Sequence, residues 1–329
     1  MKNFYANGEF LNQQLRRDKL RKIVRTFFGA RSFLEVETPH LVTCPGTESN
    51  LEYFETKWSD YEHSSSKVKF LRSSPELHMK QLLADGASHI FQTGSCFRNV
   101  GEKSNWHHPE FWMLEWYQPG SLTELIQTTL DFLNESCAQW GTTAAKDLAQ
   151  KLAKKPLNIN VFEAFKHTTS VDLIDQDPEL AQKLKSRGLL SVKGDESFEV
   201  AYFKALIERI EPFLFSHDVA VLSGYPPSQA ALAKVENHLA LRFEIYVGRV
   251  ELCNGFEELT GRHANESRIQ KSLDQRQSSS KIPIDSFFVE SMTYLNWQVS
   301  GNALGLDRWL MLLEGLDTLD RVSPFRSQW

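Results

Sequence analysis

The segment Arg242-Phe-Glu-Ile-Tyr-Val-Gly-Arg-Val-Glu251 limits what this 329-residue chain can fold into more than any other stretch. Its alternation around Gly248 reads as a β-hairpin. With Val247-Gly248 as the loop, Glu244 faces Glu251 directly. With Gly248-Arg249 as the loop, Glu251 faces Tyr246 and Glu244 lies diagonal on the same face. Either register puts two carboxylates on one side of the hairpin, where like charges cost stability. Two readings stay open at this point. Both side chains face water, as carboxylates on sheet faces commonly do, or they hold a divalent cation, oxygen ligands being what Mg²⁺ prefers. Downstream, Asn254, Phe256 and Glu258 share one face of an extended strand. Glu251 is out of step with them, so a common pocket requires a β-bulge near Asn254-Gly255.

Other strand signals lie at 33–38, 67–72, 89–93, 219–222, 243–247 and 250–253, around a helical pattern from 122 to about 215. Clustered strands with helices segregated between them imply an α+β fold on an antiparallel sheet, since a doubly wound fold needs βα alternation. The first helix carries Leu20, Ile23, Val24 and Phe27 at i, i+3, i+4 and i+7. Arg16, Arg17, Lys19, Arg21, Lys22 and Arg25 occupy its other faces. They read as a solvated face, the alternative being a docking site for an acidic partner. A polar segment at 262–276 reads as helical, and 306–316 as an apolar helix. Serine-rich stretches at 59–66 and 277–281 read as exposed loops.

With 37 basic and 42 acidic residues the net charge is −5, which argues against bulk electrostatic binding of nucleic acid. No run approaches the roughly 18 apolar residues of a membrane span. The N-terminal Met1-Lys-Asn-Phe-Tyr5 lacks a signal-peptide core, so a soluble cytoplasmic protein is expected. Cys44, Cys96, Cys137 and Cys253 show no CxxC spacing and suggest neither a disulfide scaffold nor a zinc site.

Two further segments carry chemistry-bearing residues. In Phe97-Arg98-Asn99 and, after a polar loop, His107-His108-Pro109-Glu110-Phe111, Arg98 suits phosphate recognition and Phe111 offers a base a stacking face. His107 and His108 are adjacent and point opposite ways on an extended chain, which argues against a metal pair. In Gly301-Asn-Ala-Leu-Gly-Leu-Asp-Arg308 the glycines permit close backbone approach, but the phosphate-loop pattern is absent. The plainer reading is a strand–helix turn with Asp307 paired to a neighbour.

The order and spacing of these segments resemble a known family. Phe33-Leu-Glu-Val-Glu-Thr-Pro39, then Phe97-Arg98-Asn99 through Glu110-Phe111, then Gly305-Leu-Asp-Arg308 resemble motifs 1, 2 and 3 of class II aminoacyl-tRNA synthetases. Ser74-Pro-Glu-Leu77, Met113-Leu-Glu-Trp-Tyr117, Gly224-Tyr-Pro226 and Glu251 through Leu259 are similar to lysyl-tRNA synthetase. Only about 32 residues precede motif 1, so no anticodon-binding domain is expected. Residues 1–329 then read as a single catalytic domain, with 122–215 a mostly helical subregion. Pro75-Glu-Leu-His-Met-Lys80 and Ser300 through Arg308 resemble more closely the elongation factor P–(R)-β-lysine ligases, free-standing paralogues of that synthetase.

The resemblance implies an antiparallel sheet flanked by helices and a homodimer formed through motif 1. It implies ATP-dependent activation of lysine or (R)-β-lysine as an adenylate, then transfer to a lysine of elongation factor P rather than to tRNA, without membrane involvement. For ATP it implies Arg98 on the α-phosphate, Arg308 on the γ-phosphate, Phe111 under adenine with His107 at its edge, and Mg²⁺ on Glu244 and Glu251. For the amino acid it implies Glu115, Tyr117 and Glu258 around the side-chain ammonium, Glu76 at the other amine, Asn254 near the carboxylate and Phe256 as a wall. Three positions depart from the synthetase pattern. Val100 replaces the motif 2 glutamate, for which Glu102 is a candidate substitute; Trp106 replaces a basic residue; Ala303 replaces a glycine, as in the ligases. The rival readings are a truncated synthetase that acylates tRNA or another amine, and a non-catalytic regulatory paralogue.

Overall fold

The computed structural model describes residues 8–59, 66–99, 105–276 and 281–325. Its strands are β1 (Leu34–Glu35), β2 (Leu41–Val42), β3 (Glu55–Ser59), β4 (Ser66–Leu71), β5 (Ile90–Phe97) and β6 (Glu110–Pro119). They continue with β7 (Leu157–Asn160), β8 (Val219–Tyr225), β9 (Val235–Glu236), β10 (Leu239–Val247), β11 (Val250–Glu257) and β12 (Val299–Gly305). A nine-stranded sheet runs in the order β1-β5-β6-β12-β11-β10-β8-β7, with β9 added on β10. Its centre is antiparallel, as expected; β1 on β5 and β7 on β8 are parallel. β2, β4 and β3 form a separate small sheet. Of the loops expected at 59–66 and 277–281, residues 60–65 and 277–280 lie outside the described residues, while Ser59 and Ser66 are paired ends of β3 and β4.

One face of the main sheet is sealed by helices. In the helix Glu9–Gly29 the stripe Leu20, Ile23, Val24 and Phe27 is buried, as its spacing requires. It packs with Phe91, Trp116, Phe132 and Trp309 in one apolar cluster. The helix Leu122–Trp140 starts at a capping box in which Ser121 and Glu124 satisfy each other's backbone groups. Beyond Leu152 the helical pattern is interrupted by β7, which the sequence reading did not separate from its neighbours. Asn160 then caps the helix Val161–Thr169, and the helices up to Phe215 pack on β8 and β10 through a second cluster around Phe165 and Tyr202. Among the described residues no helix is long and apolar enough to cross a membrane.

The basic residues of the first helix are tied to the chain's own groups rather than arrayed as a free face. Arg16 pairs with Glu314, Arg17 with Asp307, Lys22 with Asp18 and Arg25 with Glu35. Lys19 donates to the Trp140 carbonyl, and Arg21 lies 5.4 Å from the centre of the Trp112 ring.

Asp307 is the tightest of these junctions. It is 2% exposed and accepts from Arg17, from the Ser323 hydroxyl at 2.9 Å and from the Trp112 backbone N–H at 2.7 Å. Three separate parts of the chain thus meet on one carboxylate at the start of the helix Leu306–Leu313. Removing it strands a mostly buried guanidinium and a buried N–H. Asp307→Ala should therefore lower unfolding free energy by about 3 kcal/mol, measured by urea titration. A loss below about 1 kcal/mol, the scale of an exposed pair, would show that the junction is not structural.

Candidate active site

The hairpin turns at Gly248-Arg249, because Val247 pairs with Val250 and Tyr246 with Glu251. Gly248 has φ +56°, a region that glycine enters without steric cost. Ile245 pairs with Cys253, so Leu252 is skipped and the ladder bulges there. The bulge required by the pattern is present two residues earlier than expected. Its effect is the one required: Glu251 rejoins the face that carries Asn254 and Phe256, opposite Arg242, Glu244 and Tyr246.

Glu244 is 6% exposed and fully engaged. Its Oε1 accepts from Arg242 at 2.6 Å and from the Asn254 amide at 3.3 Å, and its Oε2 accepts from the Tyr246 hydroxyl at 2.7 Å. The Arg242 guanidinium lies 4.3 Å from the Tyr225 ring centre and 6.0 Å from that of Phe256. Glu251 keeps 42% of its side-chain surface open. Desolvation and the Glu244 charge nevertheless raise its pKa, against Arg308, Arg98 and Arg242. Hard oxygen donors that repel each other on one face suit a divalent cation. Among the described residues no group of three or more potential ligands forms a closed metal site, so the pair would need further oxygens from a ligand.

The residues expected around a nucleotide converge beside Glu251. Arg308 donates to the Glu251 carbonyl at 2.6 Å, stands 3.6 Å from its carboxylate, and meets His107 Nε2 at 3.0 Å. The Arg98 guanidinium lies 5.1 Å from the Phe111 ring centre. His108 turns instead to the Glu110 carbonyl at 3.1 Å, so the two histidines meet different partners. Trp106 donates its indole N–H to the Asp317 carbonyl, which anchors the segment that carries His107. Val100 and Glu102 lie outside the described residues. A cavity of about 560 Å³ also touches Phe111, but Arg17, His108, Trp112 and Asp307 line it rather than the carboxylates of the site.

The other half of the site is an acidic pocket. Tyr117 donates to Glu115 Oε1 at 2.7 Å, while Glu115 Oε2 has no hydrogen-bond partner although the residue is 2% exposed. Gly301 pairs with Tyr117 on one side and Phe256 on the other. A Cβ there would stand 2.3 Å from the Tyr117 ring and 2.7 Å from Glu258 Oε1, so the position admits only glycine. Ala303 sits between Glu115 and Asn254 in the same way, and its methyl is tolerated. Into this pocket the helix Glu76–Ala84 sends both Glu76 and Lys80. The Lys80 ammonium is 2.7 Å from Glu76 and 2.5 Å from Glu258, and the residue is 0% exposed.

Lys80 and Arg242 were missing from the sequence reading, and each left a signal. Lys80 falls in step with Leu77 and Leu83, a cation in the apolar stripe of its helix. Arg242 alternates with Glu244 and Tyr246 on one strand face.

Burial and the Glu76 charge push the Glu115 carboxyl up to about 8, against the hydrogen bond from Tyr117 and the Lys80 charge. Burial likewise raises Glu258, Lys80 opposing it. Burial works against the Lys80 ammonium, but Glu258 and Glu76 outweigh it and its pKa rises. Three carboxylates therefore share one cation, which is too little positive charge for all three to ionise, and burial keeps protons on Glu115 and Glu258 instead.

Two arginines and a carboxylate pair suit a phosphate-bearing ligand with its cation, and the acidic pocket beside them suits an ammonium. The comparisons agree: the family described as tRNA synthetases class II (D, K and N) matches residues 6–328. The chain is 33% identical over 328 residues to the elongation factor P–(R)-β-lysine ligase of Proteus mirabilis, covering 94% of each protein. It is 32% identical over 322 residues to the protein of that name from Vibrio cholerae, covering 96% of this chain and 95% of the relative. The chain belongs to the elongation factor P–(R)-β-lysine ligase family within the class II tRNA synthetases.

Glu115 has a consequence for stability. Its folded pKa of about 8 lies above its ordinary 4.5, so as pH rises past 4.5 the unfolded chain loses a proton that the folded protein keeps. The ligand-free protein should be most stable below that range and lose up to about 1.4 kcal/mol per pH unit toward pH 8 through this group. Glu115→Gln should reduce the slope of urea unfolding stability between pH 5 and 8 by up to that amount, leaving the share of Glu258, which burial raises in the same way. An unaltered slope would mean that Glu115 is ionised in the free protein.

Proposed function

We propose that this protein activates (R)-β-lysine or lysine with ATP and transfers the acyl group to a lysine side chain of elongation factor P. The observation that carries the reading is the buried acidic pocket, where three carboxylates have one internal ammonium between them, too little positive charge for all to ionise, and where a Glu115 oxygen has no hydrogen-bond partner. A substrate with a terminal ammonium supplies that charge, whereas a neutral analogue leaves buried carboxylates uncompensated. The names of the relatives supply the acceptor.

In this reading the ammonium lies among Glu115, Tyr117 and Glu258, with Glu76 at the second amine, Phe256 as wall and Asn254 near the carboxylate. Arg98 and Arg308 hold the α- and γ-phosphates, Phe111 stacks on adenine and His107 borders it. The substrate carboxylate attacks the α-phosphorus, the bond to the β-phosphate breaks, and pyrophosphate leaves. The acceptor amine then attacks the acyl carbon, loses a proton and displaces AMP. The protein's part is positional and electrostatic: the arginines fix the phosphates in line and offset the charge that moves onto the leaving group. Glu244 and Glu251 fit Mg²⁺, which when bound would neutralise phosphate charge. Glu251 offers the more open oxygens, since those of Glu244 are already engaged.

The continuous sheet from β1 to β12 supports residues 1–329 as one catalytic domain, 122–215 being a mostly helical part of it. Leu34 and Leu41, 61% and 44% exposed, support a homodimer through the motif 1 region. A translation factor as acceptor implies a cytoplasmic reaction.

Mass analysis after incubating the protein with ATP, (R)-β-lysine, elongation factor P and tRNA tests the reading. The expected result is acylated elongation factor P, with AMP and pyrophosphate and uncharged tRNA. Charged tRNA with unmodified factor would identify a synthetase instead, and absence of amino-acid-dependent pyrophosphate exchange would identify a binding module. Glu258→Gln should raise the KM for the amino acid roughly hundredfold, as loss of a buried charge partner does, while ATP binding survives. Equal loss of both would mean that Glu258 is misplaced. Ala303→Gly, assayed in mixtures of lysine and β-lysine, should shift the preference by a factor on the order of ten. An unchanged ratio would remove Ala303 from the specificity determinants.

A further inference from the structure

The acidic pocket already contains one ammonium, and that ammonium belongs to the protein. Lys80 is 0% exposed and spans Glu76 Oε1 at 2.7 Å and Glu258 Oε2 at 2.5 Å. Two other carboxylate oxygens of the cluster are not bound to it: Glu258 Oε1 lies beside Gly301, and Glu115 Oε2 has no hydrogen-bond partner. A fixed cation therefore fills one side of the cluster and leaves the other side to be filled from outside.

We propose that Lys80 is a positioning residue that acts as a built-in counter-cation, holding Glu76 and Glu258 in place and confining the substrate ammonium to the space between Glu258 Oε1 and the Glu115–Tyr117 pair. This rests on reading the pocket as the amino-acid site. A fully buried lysine against two carboxylates is costly to assemble, and it does not reach the nucleotide half of the site through any bond seen here. Its charge reaches Glu115 and Glu258, whose pKa values it pulls down against burial. The groups that face this cluster are Glu76, Lys80, Glu115, Tyr117 and Glu258.

A pH dependence follows. The Glu115 carboxyl, near 8 in the free protein, must ionise to accept an ammonium, so binding releases a proton below that pH. Glu258, which burial raises to about 8 as well, must give up its proton too, so apparent affinity for the amino acid should rise as pH approaches 8, by about tenfold per unit for each carboxyl that ionises on binding, and then level off. Without Lys80 the carboxylates lose their internal cation, and the rising limb moves to higher pH.

The test uses amino-acid-dependent ATP–pyrophosphate exchange by the full-length protein, with lysine and (R)-β-lysine, from pH 6 to 9.5. In Lys80→Met the KM for the amino acid should rise at least about tenfold at pH 7, less than for direct loss of a buried charge partner, because Lys80 acts on the substrate through the carboxylates. The KM for ATP should stay within about twofold, since the contacts of Lys80 lie outside the nucleotide half. Raising the pH should restore much of the loss, because the limb has moved rather than vanished. Lys80→Arg keeps the charge and should regain part of the wild-type KM and move the rising limb back toward lower pH, which a purely structural defect would not do. A KM profile like that of the wild type, a parallel loss for ATP and amino acid, or a Lys80→Arg variant no better than Lys80→Met each overturns the role of Lys80. If the wild type itself shows no amino-acid-dependent exchange, the reading of the pocket fails. Exchange that is robust in the wild type and unchanged in Lys80→Met removes only the counter-cation.

Discussion

Between the pairs Ile245–Cys253 and Tyr246–Glu251 the β10–β11 ladder skips Leu252, and the chemistry of the front face depends on that slip. Strand side chains alternate with a period of two, so without it Glu251 would point away from Asn254 and Phe256. With it, Glu251 joins the face that also carries Arg242 and Glu244 and comes within reach of Arg308. The register is held from both sides, because β10 also pairs with β8 and β11 with β12, all within a buried sheet. A hairpin alone would be free to slip; one clamped in the middle of nine strands is not.

Charge is the second constraint. The front face carries guanidinium groups toward one end, Arg98, Arg242 and Arg308, and carboxylates toward the other, Glu76, Glu115 and Glu258. The cationic end suits a polyanion and the anionic end a substrate with amino groups. A molecule with both an amine and a carboxylate is therefore oriented by the field before any close contact forms. Buried charges in low dielectric make this costly for the empty protein, and the elevated Glu115 pKa records that cost.

Where periodicity was strong, the fold was legible. The stripe of the first helix and the hairpin around Gly248 are both present as their patterns require. The hairpin left its loop register open because two registers satisfy the same alternation, and only pairing with neighbouring strands decides between them. β6 gave no alternating signal because Trp112 through Gln118 are all buried, which erases the period. β7 is four residues long, between helices, and parallel to β8, so local pattern could not isolate it. The segment around Gly301, read as part of a turn, is a full central strand: its glycine serves the close approach of Tyr117 rather than a bend. The site was legible through the order of its motifs more than through any single residue. Lys80 escaped notice because a lysine at an apolar position is read first as an exception to the stripe and only afterwards as a buried ion.

Positions 301, 303, 307 and 308 show how one short stretch serves packing and chemistry together. Gly301 and Ala303 lie on the same face of β12, two residues apart, and differ by one methyl. At Gly301 the Tyr117 ring and Glu258 leave no room for it; at Ala303, between Glu115 and Asn254, there is room. The floor of the acidic pocket is thus fixed by Tyr117 at one end and adjustable at the other. Where the strand passes into its helix, Asp307 turns to the back and ties the first helix, β6 and Ser323 together, while Arg308 turns to the front and meets His107 and Glu251. Because neighbouring residues at that junction face opposite layers, the arginine is anchored by the same turn that closes the core behind it. A guanidinium held in this way would meet an anion with little further ordering, so the strength of the back-side junction sets how well the front-side charge is preorganised.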